Sequence, residues 1–148
     1  MFAKQTLHGN GNLLQLPLHI ASGNASLTRG DAMRNDKLSV QSMDFAVQII
    51  NLLKSLKEKR ESIISNQIGR SGTSIGANIR EAQYAHGKAD FIAKFQIALK
   101  EANETEYWLE LLYKTNYIEE SEYKALDSAC TSIRVMLISS INTAKERQ

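Results

Sequence analysis

The chain has 148 residues, of which 43% are apolar and 23% charged, and it contains one proline. This length allows one domain with a hydrophobic core, and the balance is typical of a soluble, mostly helical protein rather than a disordered one. The formal net charge of +2 and the pI of about 8.7 fall short of the charge of a dedicated nucleic-acid-binding domain. A symmetric assembly would repeat this small excess around its axis and gather it on one face.

A single cysteine, Cys130, excludes an intramolecular disulfide and a zinc site made of cysteines. It falls between Leu126 and Ile133 on the apolar side of the last predicted helix, which indicates a buried core thiol. No apolar run is long enough to cross a bilayer, and Gln15 and Pro17 interrupt the apolar stretch that a secretory signal would need. We therefore expect a cytoplasmic protein that does not contact the membrane.

Residues 1–34 differ from the rest of the chain. They hold the only proline and half of the eight glycines and carry no helical stripe, which predicts a poorly structured extension before a domain of residues 35–148. Apolar residues alternate from Leu14 to Ile20, so a short edge strand is an alternative there. Met33 also resembles an ordinary start, which suggests the hypothesis that the residues before it are a misassigned start. A peptide from before Met33 in the native protein would exclude this hypothesis.

Apolar and small residues recur at alternating steps of four and three from residue 37 onward, a pattern that predicts helices packed along narrow stripes. We place helices at residues 37–59, 62–85, 89–116 and 121–146, with a break at His86 and Gly87 between the second and third. Short connections favour an all-α, antiparallel up-down-up-down four-helix bundle. The predicted core stripes are Leu38, Phe45, Ile49, Leu52 and Leu56; Ile64, Ile68, Ser71, Ile75, Asn78 and Ala82; Phe91, Phe95, Ala98, Ala102, Thr105, Leu109 and Leu112; and Tyr123, Leu126, Cys130, Ile133, Leu137 and Ile141.

Three glycines, Gly69, Gly72 and Gly76, lie inside the second predicted helix, where each costs about 1 kcal/mol relative to alanine. Gly72 and Gly76 share one face, where a missing side chain lets another helix come close. A ligand-contact surface is the alternative. A phosphate-binding loop is not predicted, because no strand precedes these glycines and no lysine follows the last of them.

The sequence offers little for catalysis. A metal pair in a helical bundle needs the Glu-x-x-His motif, but Tyr84 stands three residues after Glu81, and Tyr107 stands three residues after Glu104. The carboxylates of the third helix are spread around it as in a solvated face. We therefore predict no enzyme, no metal and no cofactor.

The remaining polar residues suggest binding. A basic set on the second and third helices, with Tyr84, Tyr107 and Trp108 beside it, suits contacts with phosphates and bases. Asn78 and Glu81 are interpreted as a structural polar core, with recognition as the alternative, and Trp108 with Tyr107 as an oligomer interface. The predicted nucleic-acid-binding residues are Arg70, Arg80, Lys88, Lys94 and Lys100.

The segment SIGANIREAQYA from Ser74 to Ala85, followed by DFIAKFQIALKEANETEYWLELL from Asp90, resembles the four-helix-bundle proteins encoded in intervening sequences of bacterial 23S ribosomal RNA genes. The resemblance covers about residues 36–145, and Arg70, Asn78, Arg80 and Glu81 match its polar positions. It implies a four-helix bundle, rings of five copies and no established enzymatic activity. A related branch, the accessory variability determinants of retroelements, binds nucleic acid and a reverse transcriptase.

Together these observations predict a non-catalytic, oligomeric bundle that binds RNA or DNA through a basic face. The alternative is a protein-interaction scaffold, for example an accessory subunit of a reverse transcriptase, without nucleic-acid specificity of its own. Replacing Arg70 and Arg80 with alanine separates the two. Loss of nucleic-acid binding with the oligomer intact favours the first function, and loss of the oligomer favours the second.

Overall fold

Four α-helices account for nearly all of residues 29–147, the part of the chain that the computed structural model describes. They are α1 (Arg29–Glu58), α2 (Ile63–Ala82), α3 (Lys88–Lys114) and α4 (Glu120–Glu146), and these residues contain no strand. The predicted all-α fold is confirmed. The predicted edge strand lies outside the described residues, and the hypothesis that the chain starts at Met33 stays a prediction.

The helices run alternately up and down. The connections have only four or five residues, so each helix packs antiparallel to the one before it. Each helix packs on two neighbours, so that α1 and α3 both contact α2 and α4. Contacts between the ends agree with this order, because Lys59 at the end of α1 donates to the carbonyl of Tyr117 before α4, and Lys88 at the start of α3 donates to the carbonyl of Arg147 after α4.

The core lies along the predicted stripes. Nearly every predicted core residue is buried, including Phe45, Phe95 and Leu137, each at most 1% exposed. Phe91 and Tyr123 are only half-buried, because each lies in the first turn of its helix, where fewer neighbours cover it. The hydrophobic periodicity therefore identified the covered side of all four helices.

The first helix begins at Arg29, eight residues before the predicted start. Residues 29–34 are thus helical and are not part of an unstructured extension. Asp31 is buried and forms an ion pair with Arg147 at the end of α4, and an acidic residue in the first turn also suits the helix dipole. The sequence could not show this start, because the partner that stabilises it lies more than a hundred residues later.

The glycines of α2 confirm close helix packing. A Cβ added at Gly72 would lie 2.8 Å from Cγ1 of Ile49, and one added at Gly76 would lie 3.4 Å from the carbonyl oxygen of Ser42. Both neighbours belong to α1. The missing side chain at Gly72 lets α2 approach α1 closely, whereas Gly76 leaves room for a Cβ at ordinary contact distance.

Glu61 fixes the start of α2. Its buried carboxylate accepts hydrogen bonds from the backbone N–H groups of Ile64 and Ser65, at 2.8 and 2.7 Å. Burial opposes ionisation of this carboxyl, but the backbone hydrogen bonds outweigh it, and the pKa of Glu61 is lowered. The carboxylate thereby satisfies two of the N–H groups that the first turn of a helix leaves without partners.

Candidate nucleic-acid interface

Arg70, the first of the predicted nucleic-acid-binding residues, is neutralised by carboxylates of α3. Its guanidinium contacts Glu101 at 3.2 Å and also bonds Glu104, which accepts a further hydrogen bond from the indole of Trp108 at 3.2 Å. The bond to Glu104 raises the pKa of Arg70, and the same bond lowers the pKa of Glu104. Two negative charges beside one positive charge make this position unsuited to a phosphate.

Asn78 and Glu81 do not form the predicted polar core. Asn78 is half-buried and donates to a carbonyl one turn earlier in α2, at 2.9 Å, while Ile79 takes the core position with 1% exposure. Glu81 is exposed and pairs with Lys94 of α3, which raises the pKa of Lys94. The core step after Ile75 is four residues rather than three, and this turns Asn78 and Glu81 away from the interior.

The other three predicted cations are exposed but do not lie together. Arg80 forms no ion pair within residues 29–147 and lines a groove between α1 and α2. Lys88 donates to the carbonyl of Arg147, and Lys100 lies midway along α3, where its charge helps to lower the pKa of Glu104. The structure therefore brings Arg80 and Lys88 to one end of the bundle and leaves Lys100 apart.

The two ends of the bundle differ in charge. Counted over nine residues of each helix and the adjoining connections, the end where α1 and α3 begin and α2 and α4 finish has eight cations and five acidic residues, whereas the opposite end has seven cations and eight acidic residues. We call the first the basic end: its cations are Arg29, Arg34, Lys37, Arg80, Lys88, Lys94, Lys145 and Arg147, and its acids are Asp31, Asp36, Glu81, Asp90 and Glu146. The opposite end holds Lys54, Lys57, Lys59, Arg60, Arg70, Lys114 and Lys124 with Glu58, Glu61, Glu106, Glu110, Glu119, Glu120, Glu122 and Asp127.

Sequence reasoning missed most of the basic end. It assigned Arg29 and Arg34 to the extension, and it did not include Lys145 and Arg147 among the predicted binding residues. These residues are far apart in the chain, and only the antiparallel packing of the four helices brings them to one end. Counting charges separately for the two ends of the predicted bundle would have revealed them.

The aromatic residues divide into one that belongs to the bundle and two that face outward. Trp108 is half-buried against the core and bonds Glu104 through its indole N–H. Tyr107 is 57% exposed and meets Trp108 edge to face, with ring centroids 4.8 Å apart, while Tyr84 is 81% exposed. The interface assigned to Trp108 and Tyr107 stays a prediction, and Tyr107 carries the accessible part of it.

A second apolar stripe runs along the outside of α1, and sequence reasoning did not identify it. It lies on the side of the helix opposite Phe45, and two of its residues, Val40 and Val47, are 60% and 54% exposed. The heptad spacing of these residues is visible in the sequence, but the more strongly apolar stripe through Phe45 on the other side of the helix was the one predicted to pack. We call this surface the outer α1 stripe: Met33, Val40, Met43, Val47 and Ile50.

Side chains with catalytic potential are few in the described part of the chain. Cys130 is fully buried, as predicted, and burial raises the pKa of its thiol to about 12. Within residues 29–147, no group of three or more His, Cys, Asp or Glu side chains is arranged to hold a metal ion. None of the four described helices is long and apolar enough to cross a membrane.

Comparison with known proteins identifies the family. The family model of the 23S rRNA-intervening sequence protein matches residues 34–139, which is most of the described bundle. A crystal structure of a protein with unknown function from the S23 ribosomal protein family of Bacteroides thetaiotaomicron is 54% identical, with a TM-score of 0.73 over 74% of this chain and 99% of that chain. No curated protein matches this chain. The residues matched by the family model extend over all four helices. The chain belongs to the 23S rRNA-intervening sequence protein family.

Proposed function

We propose that this protein is a non-catalytic helical bundle that associates with further copies of itself and binds RNA or DNA through its basic end. The observation that carries the proposal is the surplus of cations at that end, eight against five acidic residues. Phosphate binding needs positive charges that are not already neutralised by protein carboxylates. Arg29, Lys37 and Arg80 are exposed there and form no ion pair within residues 29–147.

The proposal moves the contact surface away from part of the predicted face. Arg70 and Lys94 each meet carboxylates of the same bundle, so replacing those partners with phosphates would gain little. Arg80 and Lys88 remain candidates, and Arg29 and Lys37 join them. The hydrogen bond of 2.7 Å between Gln83 and Ser39 holds the end of α2 beside the first turns of α1.

Self-association strengthens this surface. One basic end carries a small surplus, but copies related by a rotation axis parallel to the helices would place all their basic ends on the same rim. Five copies, the number that the family resemblance implies, would multiply that surplus fivefold. The mass of the purified protein in solution tests the number of copies.

The salt dependence of binding tests the nucleic-acid part. We would titrate a hairpin RNA and a duplex DNA of about 20 base pairs with the protein between about 50 and 200 mM salt, where each phosphate contact adds about 0.9 to the slope for duplex DNA. Arg29→Ala with Arg80→Ala is expected to weaken binding and to lower that slope by about two. Binding that is undetectable at low salt, or indifferent to salt, contradicts the proposal.

A matched control removes two exposed cations elsewhere. Arg60→Ala with Lys100→Ala changes the net charge by the same amount, but Arg60 lies at the opposite end and Lys100 lies midway along α3. We expect this variant to keep the wild-type slope. An equal loss in both double variants would mean that total charge, and not the basic end, determines binding.

A second candidate function is that of a protein-interaction scaffold, such as an accessory subunit of a reverse transcriptase. The exposed outer α1 stripe favours it, because large apolar patches on a surface mark contact sites. In that case Arg29→Ala with Arg80→Ala leaves partner binding intact, whereas Val47→Glu abolishes it. The same Val47 variant leaves the nucleic-acid affinity of a single copy unchanged if the basic end is the binding surface.

A further inference from the structure

The outside of α4 has an unusual composition. Arg134 is the only charged residue between Asp127 and Lys145, and it turns toward α3, where it bonds Glu106 at 2.9 Å. Every exposed residue of this stretch is therefore uncharged, which is a mark of interface cores rather than of free surface. We call it the uncharged α4 face: Ser128, Ser132, Val135, Ile138, Ser139 and Asn142.

Most of this face repeats with the spacing of a helix-packing stripe. Ser128, Ser132, Val135, Ser139 and Asn142 follow one another at steps of four, three, four and three, and the first four each lie two residues after a core residue of α4. In the outer α1 stripe, Val40 and Val47 likewise lie two residues after the core residues Leu38 and Phe45. Met43 and Ile50 lie two residues before the core residues Phe45 and Leu52. Two helices of one bundle thus each carry a second packing stripe, opposite the core, that the described chain leaves uncovered.

The geometry points to a contact between copies in which the outer α1 stripe of one copy packs on the uncharged α4 face of the next. This deepens the self-association part of the proposed function by naming the two surfaces. The outer α1 stripe consists of large apolar side chains, and the uncharged α4 face includes three serines, so that large residues of the first fill the spaces beside small residues of the second. Because every chain carries both surfaces, we infer that the partner covering each of them is a second copy of the same protein.

The levels of the two helices fit this pairing. The ion pair between Asp31 and Arg147 shows which turns of α1 and α4 lie side by side in the bundle. If neighbouring copies lie at the same level along the helix axes, the large residues of α1 meet small residues of α4 of the second copy. The exception is Met43, which meets Val135. The pairs across the contact are Val40 with Ser139, Met43 with Val135, Val47 with Ser132, and Ile50 with Ser128.

The charges at the end of this contact also agree. Lys57 lies at the end of α1, and Glu122 lies in the first turn of α4. Both are exposed and neither forms an ion pair within residues 29–147. The same alignment places Lys57 of one copy beside Glu122 of the second copy, where opposite charges favour the correct register.

The contact joins two unlike surfaces and is therefore heterologous, so that it can repeat from copy to copy and close into a ring. Because α1 and α4 are neighbouring helices of a four-helix bundle, their outward sides point in different directions, so the repeated contact turns from one copy to the next and can close into a ring of a few copies. Each copy then uses both stripes, and none is left uncovered.

Blocking either surface tests the contact. Val47→Glu places a charge in the outer α1 stripe, and Ser132→Glu places one on the uncharged α4 face. We expect each variant to elute from size-exclusion chromatography with the light-scattering mass of a single copy, 16.6 kDa, while the wild type forms the larger assembly. Ile63→Glu is the control, because Ile63 is 78% exposed but belongs to neither stripe, and its assembly is expected to keep the wild-type mass.

Mixing the two blocked variants gives the decisive result. The Val47→Glu copy keeps an intact α4 face and the Ser132→Glu copy keeps an intact α1 stripe, so the mixture is expected to form complexes of two copies and nothing larger. A mixture that stays at the mass of single copies overturns the proposal, as does a Ser132→Glu variant with the wild-type mass. Far-ultraviolet circular dichroism of each variant verifies that the helices remain folded.

Charge reversal tests the register. Lys57→Glu and Glu122→Lys are each expected to weaken assembly, and the variant that carries both substitutions is expected to assemble like the wild type. A double variant that assembles no better than the single variants would contradict the alignment. All masses are measured without nucleic acid. The mass measurements therefore test only the contact between copies. Nucleic-acid binding at the basic end is tested separately by its salt dependence.

Discussion

The two sides of α1 have similar residues but different surroundings. On the inner side, Phe45 and Ile49 are completely buried against α2 and α4. On the outer side, Val40 and Val47 follow the same heptad spacing yet remain more than half exposed. The difference teaches that hydrophobic periodicity marks a side of a helix for packing without saying whether the same chain or another copy covers it.

The largest expected effect separates these two sides directly. Phe45→Ala on the inner side should lower the free energy of unfolding by about 3–5 kcal/mol, because it leaves a cavity in the core. Val47→Ala on the outer side should change it by less than about 0.5 kcal/mol. Urea unfolding at concentrations where the protein is a single copy measures both, and similar losses for the two variants would break the comparison.

A smaller effect tests how tightly α2 presses on the inner side of α1. Gly72→Ala would bring a Cβ to 2.8 Å from the side chain of Ile49, and we expect overpacking to cost about 1–3 kcal/mol. Gly76→Ala is the matched control one turn later, since its Cβ would meet Ser42 at an ordinary 3.4 Å. That variant should be neutral or up to about 1 kcal/mol more stable, because alanine favours helix. Thermal unfolding compares the two.

Polar residues in the covered core provide a third test. The hydroxyls of Thr105 and Ser71 share a buried hydrogen bond of 2.9 Å between α3 and α2, and Thr105 also bonds the carbonyl of Glu101. Thr105→Val should cost about 1–2 kcal/mol, because the hydroxyl of Ser71 loses its partner. Adding Ser71→Ala removes that stranded group, so urea unfolding of the double variant should show a smaller loss than the two single losses combined.

The smallest expected effect concerns the connection after α1. Glu61→Gln should cost about 1 kcal/mol near neutral pH, because it weakens the cap on α2. The folded-state pKa of Glu61 is lowered, so the contribution of its carboxylate is present above the unfolded pKa of about 4.3 and disappears as the pH falls through the folded value. Urea unfolding at several pH values should therefore show the two proteins converging in acid. Glu58→Gln, an exposed neighbour, should have little effect at any pH.

The sequence predicted the fold well because packing stripes are local patterns. Core residues such as Leu38, Ala98 and Ile133 recur at helical spacing, and the structure buries all three. The predicted start of α1 was wrong by eight residues, and the first turn of the helix contains Asp31, which forms an ion pair with the distant Arg147. Distant partners of this kind leave no periodic signal.

The candidate site was predicted less well than the fold. The five predicted cations were chosen from two neighbouring helices, but charge on a surface depends on what lies opposite each residue. Arg70 meets Glu101 and Glu104, and Lys94 meets Glu81, so two of the five are neutralised. Arg80, which forms no ion pair within residues 29–147, and the cations at the start of α1 could be grouped only after the ends of the helices were known.

The sequence alone determined the helices, their buried stripes and the family, because these follow from residue spacing and from a motif within one stretch of chain. The tertiary structure decided which charges remain unpaired, which end of the bundle is basic, and that α1 and α4 each keep an uncovered side. Those properties arise between helices that are distant in sequence. They exist only after the chain has folded and brought such helices together.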